Sequence, residues 1–143
     1  IDKLFVRVGS ADNLHKNIST FMLEMLETSA IVHKSTNQSL IVVDEIGRGT
    51  SAKEGRAIAN AILNYFVRKR HKILFSTHYH DLECNDNSLQ KYTFSIKLHK
   101  NNLIFLHKLT EGIAKESYAV YVAKMSGIPE EIINDAQLQL MQK

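Results

Sequence analysis

Ser39-Leu40-Ile41-Val42-Val43-Asp44-Glu45-Ile46-Gly47-Arg48-Gly49-Thr50-Ser51 is the stretch from which the fold is read. Four consecutive aliphatic residues that end abruptly in two acids predict a short strand buried on both faces, as in a parallel sheet. A glycine-containing turn follows, and Ser51 with Glu54 forms the S-x-x-E capping box that starts a helix from Ala52 to about Lys69. Upstream, Met22, Met25, Leu26, Ala30 and Ile31 recur at helical spacing between Ser19 and about Ser35. Ser19 and Thr20 stand where hydroxyl caps belong. Downstream, Lys72 to Thr77 is a second aliphatic strand, closed by His78 and Tyr79.

From Gln90 the texture changes. Tyr92, Phe94, Ile96 and Leu98 alternate with polar residues, Lys100-Asn101-Asn102 makes a polar turn, and Leu103 to Leu109 runs back. That pattern predicts an antiparallel hairpin. Two helices are expected to close the chain, Lys115 to Ser126 and Pro129 to Lys143. Gly127 suits a helix C-terminus, and Pro129 with Glu130 and Glu131 suits the start of the next helix. The fold class is therefore α/β, with parallel core strands, a β-hairpin and a helical tail.

Composition narrows the function. The chain has 143 residues with 44% hydrophobic and 23% charged, enough for one packed core. No apolar run reaches the ~18 residues of a membrane helix. The start, Ile1-Asp2-Lys3-Leu4, carries neither an initiator Met nor a signal-peptide pattern and reads as the middle of a longer gene. One cysteine, Cys84, excludes a disulfide scaffold. A net charge of +3 is only a faint hint of nucleic acid. The one basic cluster, Arg68-Lys69-Arg70-His71-Lys72, reads as a solvated helix end.

The chemistry lies in the acids. A strand ending in Asp44-Glu45 delivers two carboxylates to the carboxyl edge of a parallel sheet, where ligands sit in open α/β folds. In nucleotide hydrolysis the first acid serves Mg²⁺ through its bound water, and the second polarises the attacking water. A strand that simply ends in solvated acids is the plainer alternative. If the two strands are neighbours, His78 lies beside Asp44 and Glu45 and could donate to a phosphate oxygen. Its alternatives are a bond to a backbone carbonyl, or a zinc site with His80, Glu83 and Cys84. The turn at Gly47 to Lys53 is not a phosphate loop, because Ala52 stands in place of the second glycine and Glu54 follows Lys53. No G-x-x-x-x-G-K-[ST] occurs in the chain. The visible residues look like half of an ATP site.

Three blocks carry a family resemblance: Ser19-Thr20-Phe21-Met22-Leu23-Glu24-Met25, Leu40 to Ser51, and Phe75-Ser76-Thr77-His78-Tyr79. With Phe5-Val6-Arg7-Val8-Gly9 before and Ser117-Tyr118 and Gly127-Ile128-Pro129 after, the chain resembles the MutS family of DNA mismatch-repair proteins along essentially its whole length. The resemblance implies an ABC-type (P-loop NTPase) ATPase domain that uses ATP and Mg²⁺ in composite sites at a dimer interface. Residues 1–114 would be the C-terminal part of that domain, and residues 115–143 the helical dimerisation region. Asp44 would serve Mg²⁺, Glu45 would activate water, and His78 would be the switch histidine near the γ-phosphate. Ser19, followed by Thr20, would reach the nucleotide of the partner subunit. Gly49, Thr50 and Ser51 would pass between the two sites, and His107 would pack near the adenine. Implied partners are a second MutS-type subunit, as homodimer or heterodimer, a MutL-like repair protein, and mismatched duplex DNA held by domains absent here.

The resemblance also implies no membrane and a cytoplasmic, nucleoid-associated bacterial location, with a mitochondrial homologue as the alternative. Asn17 replaces a family glycine, and Ala119 replaces the glycine of Ser-Tyr-Gly. The competing reading is a truncated, non-catalytic remnant that docks onto an intact subunit. Other ABC-type ATPases are disfavoured by the lack of a Leu-Ser-Gly-Gly-Gln-like signature.

Overall fold

In the computed structural model the chain is described over residues 1–9, 19–99, 102–114 and 118–141. Its first compact unit, Ile1–Leu89, comprises β1 (Leu4–Arg7), α1 (Thr20–Lys34), β2 (Leu40–Asp44), α2 (Ala52–Arg68) and β3 (Lys72–Ser76). The three strands are parallel in the order β1-β2-β3, with Leu4 opposite Leu40 and Leu40 opposite Lys72. β1 is not legible in the sequence, because its four residues are too few to display a period.

Consecutive parallel strands in consecutive order, each joined by a right-handed crossover, place both connecting helices on one face of the sheet. The core follows that geometry. Ile41 and Val43 of β2 pack with Ile31 of α1 and with Ala59, Leu63, Phe66 and Val67 of α2. Gly55 and Ala59, small residues on the buried face of α2, let that helix lie close to its neighbours. Among the described residues of this unit no helix packs on the opposite face: Leu4 and Leu74 are each 62% exposed, and Val6 is also exposed. The expectation that β2 is buried on both faces is corrected accordingly. Ile41 and Val43 are buried, whereas Leu40 and Val42, on the helix-free side, are only half-buried.

Both helix starts are capped as their sequences predict. Ser19 accepts a hydrogen bond from the Met22 N–H at 3.2 Å, and Ser51 accepts one from Glu54. α2 ends at the basic cluster, where Arg68, Lys69, Arg70 and Lys72 are exposed and Arg70 turns with φ 58.

The second unit, Gln90–Lys143, contains β4 (Tyr92–His99), β5 (Asn102–Glu111), α3 (Ala119–Met125) and α4 (Glu130–Met141). β4 and β5 form the expected antiparallel hairpin, with Tyr92 opposite Glu111. The turn at Lys100 and Asn101 lies outside the described residues, as do Asn17, Lys115 and Ser117. The first tail helix starts later than Lys115: Tyr118 precedes it without a side-chain cap, and Ala119 is its first residue. Gly127, at φ 85, ends that helix as expected.

Candidate functional site

β2 ends on Asp44 and β3 on Ser76, and the two are register partners. The Ser76 hydroxyl donates to Asp44 Oδ1 at 2.5 Å, while Asp44 stays exposed. One residue later the chain turns sharply. Glu45 adopts φ 48, although its N–H still donates to Ser76 O at 3.2 Å. A non-glycine residue in left-handed backbone stores about 1–3 kcal/mol, and such strain clusters at functional sites.

That turn aims the Glu45 carboxylate at His78. Glu45 Oε1 lies 2.9 Å from His78 Nδ1, and Oε2 lies 2.5 Å from Arg48 Nη2. Arg48 Nε donates to His78 Nε2 at 2.6 Å, and Arg48 Nη2 contacts the same nitrogen. A guanidinium has only donors, so Nε2 is the accepting nitrogen. The imidazole proton is thereby assigned to Nδ1, which donates it to Glu45. The condition set on His78, that the two strands be neighbours, is met.

These residues border a cleft of about 380 Å³ lined by Arg7, Gly9, Thr20, Glu24, Glu45, Arg48 and Gly49. The α1 N-terminus opens onto it, with Ser19 and Thr20 exposed. Gly49 packs so tightly on the first turn of α1 that a Cβ there would lie 2.7 Å from Phe21 Cβ. Thr50 and Ser51 are engaged elsewhere. Their hydroxyls donate to Glu54 Oε2 at 3.0 and 2.8 Å, and those bonds, Ser51 first, hold the Glu54 carboxyl below its ordinary range.

His107 belongs to the second unit. It is exposed on β5 at φ 51, within a bulge where Ser95 of β4 faces Leu106, His107 and Lys108. Bulges of this kind re-aim a side chain.

Among the described residues no three of His, Cys, Asp and Glu come together as a metal cage, so the zinc alternative at His78, His80, Glu83 and Cys84 is not assembled. Asp44 suits a different ion. Mg²⁺ keeps most of its waters and binds through one or two carboxylates together with phosphates, which an exposed strand-end acid fits.

Four participants were not singled out from sequence: Arg48, Ser76, Arg7 and Glu24. Arg48 lies inside the glycine turn and Ser76 directly opposite Asp44, so a parallel pairing of the two strands would have pointed to Ser76. Arg7 and Glu24 lie inside the blocks that carry the family resemblance, but only the topology shows that they meet.

Residues 1–142 match the family described as MutS domain V. The chain belongs to the MutS family. The DNA mismatch repair protein MutS of Rickettsia rickettsii (strain Sheila Smith) is 47% identical over 145 residues, covering 99% of this chain and 16% of that relative. MutS of Rickettsia bellii (strain OSU 85-389) and of Rickettsia akari (strain Hartford) are each 46% identical over the same share. The chain thus spans 16% of the length of these MutS proteins. Membership in MutS sets aside the reading as another ABC-type ATPase. Among the described residues no helix is long and apolar enough to cross a membrane.

Proposed function

We propose that these residues form the Walker B half of the ATP-binding and hydrolysing domain of a MutS-type mismatch-recognition protein, acting in DNA mismatch repair. The observation that carries the reading is the convergence of Asp44, Glu45 and His78 on one carboxyl edge of a parallel sheet. In this reading Asp44 holds Mg²⁺ through water, and the ion, when bound, neutralises charge on phosphate oxygens. Glu45 takes the proton of the attacking water. Its oxygens meet His78 and Arg48, one each, and a carboxylate oxygen has two lone pairs, so each can still accept from a water. His78, whose Nδ1 proton is held by Glu45, donates it toward the terminal phosphate once the ring turns from that carboxylate.

Ser19 and Thr20 stand at a helix N-terminus whose N–H groups and dipole favour an anion, here the nucleotide of a partner subunit. Gly49, Thr50 and Ser51 run between the two sites, His107 packs near the adenine, and residues 115–143 grip the second subunit. Mismatched duplex DNA and a MutL-like protein are partners of the whole polypeptide. Its location is cytoplasmic, with the nucleoid where it meets DNA.

The test is a full-length polypeptide containing these residues. Glu45→Ala should leave ATP binding in place and slow single-turnover hydrolysis by about two orders of magnitude, and a rate within a few-fold of the parent rejects Glu45 as the base. Asp44→Ala should instead raise the Mg²⁺ requirement. The second reading is a docking module without catalysis. It gains ground if Glu45→Ala and Asp44→Ala both leave hydrolysis unchanged while subunit pairing persists.

A further inference from the structure

Two of the three buried residues of α1, Glu24, Thr28 and Ile31, are polar. Thr28 satisfies itself on its own helix, donating to Glu24 O at 2.8 Å. Glu24, 4% exposed, reaches across the fold. Its Oε1 accepts from Arg7 Nη2 at the end of β1 and from the Gly47 N–H after β2, each at 3.2 Å. Arg7 is 5% exposed, and its Nε lies 3.1 Å from Glu27 Oε2 as an ion pair without hydrogen-bond alignment. Arg7 Nη1 has no hydrogen-bond partner and the residue lines the cleft, which would invite an anion. One guanidinium facing two carboxylates leaves that corner negative, so an anion is disfavoured there.

The arrangement fastens instead. Buried ion pairs are seldom better for stability than apolar packing, and their best use is to fix one geometry. Gly47 is gripped from three sides. Glu24 holds its N–H, Tyr79 Oη donates to its carbonyl at 3.0 Å, and Gly55 lies so close that a Cβ on Gly47 would stand 2.5 Å from Gly55 O. One turn earlier on α1, Phe21 is packed on Gly49. The helix that begins at Ser19 therefore holds the loop that follows Glu45 at two points.

We infer that Glu24, held by Arg7, is a positioning residue that ties α1 to the Glu45 loop, so that a shift of the α1 N-terminus re-aims the Glu45 carboxylate. The inference rests on the roles proposed above for Ser19 and Glu45. It is tested first in the 143-residue chain by amide exchange at Gly47, with Val43 of the central strand as reference. Glu24→Met keeps the bulk and removes the acceptor. It should speed Gly47 exchange about tenfold or more and leave Val43 unchanged, since the loss is local. Glu24→Gln, whose amide oxygen can still accept, should stay near the parent. Equal acceleration of both amides, or none at Gly47, overturns the tie. If Glu24→Met does not fold, Arg7→Lys, which loses the planar fork, is read on the same two amides with the same expectation.

The second test is single-turnover ATP hydrolysis in a full-length polypeptide containing these residues. Glu24→Met should lower kcat about tenfold or more while KM for ATP moves less than about threefold, because geometry and not binding is lost. Glu24→Gln should restore most of the rate. If Glu45→Ala hydrolyses at the parental rate, the reading of Glu45 fails and this inference with it. If Glu45→Ala is slow and Glu24→Met is not, the inference alone fails.

Discussion

A methyl group added at Gly55 would stand 2.0 Å from the Gly47 carbonyl oxygen and 2.5 Å from Tyr79 Oη. The first of those atoms is backbone and cannot step aside. Gly55→Ala should therefore lower unfolding stability by about 1–3 kcal/mol, the range for overpacking, as a lower urea midpoint at unchanged slope. Tyr79→Phe, which only removes the donor to Gly47, should cost about 1 kcal/mol. At this scale the sequence is legible where a side chain acts on its own neighbourhood. Ser19, Ser51 and Glu54 were readable because a cap is made within three residues, and Asp44-Glu45 because a strand end is a local event. Glu24 was not, because its partners Arg7 and Gly47 lie 17 and 23 residues away and meet it only through the topology. Nor does any local signal mark the left-handed backbone of Glu45, which the surrounding bonds impose.

Among elements, the start of α2 allows a test by titration. Ser51 and Thr50 hydroxyls stabilise the ionised Glu54 carboxyl and hold it below its ordinary value of 4.5. A depressed folded-state value means that this contribution is complete above the unfolded-state value and is lost as pH falls through the folded-state one. Ser51→Ala should move the Glu54 carbon resonance titration back up toward that ordinary value. It should also cost about 1 kcal/mol for the lost cap, and that cost should shrink in acid. A Glu54 titration unchanged by the substitution contradicts the assignment. The helices and the two longer strand signals were legible as periods and caps. β1 escaped because four residues show no period, and the β5 bulge escaped because nothing in Leu106-His107-Lys108 distinguishes it from a regular strand.

For the molecule as a whole, the helix-free sheet face is the property with the widest reach. Leu4, Val6 and Leu74 are exposed on the side away from α1 and α2. Exposed apolar patches of this kind drive association, so the 143-residue chain should self-associate on dilution series in sedimentation velocity. Leu74→Thr should reduce that association while leaving the unfolding midpoint unchanged within about 0.5 kcal/mol, as for a surface site. A large loss of stability would mean that the face is internally packed after all. In genetic terms the two sides of this sheet belong to different phenotypes. Defects at Ile41 or Phe66 would be rescued by cooling or by a stabilising second substitution, since they act through folding. Defects at Leu4, Val6 or Leu74 would be insensitive to both, since they act through association and not through folding.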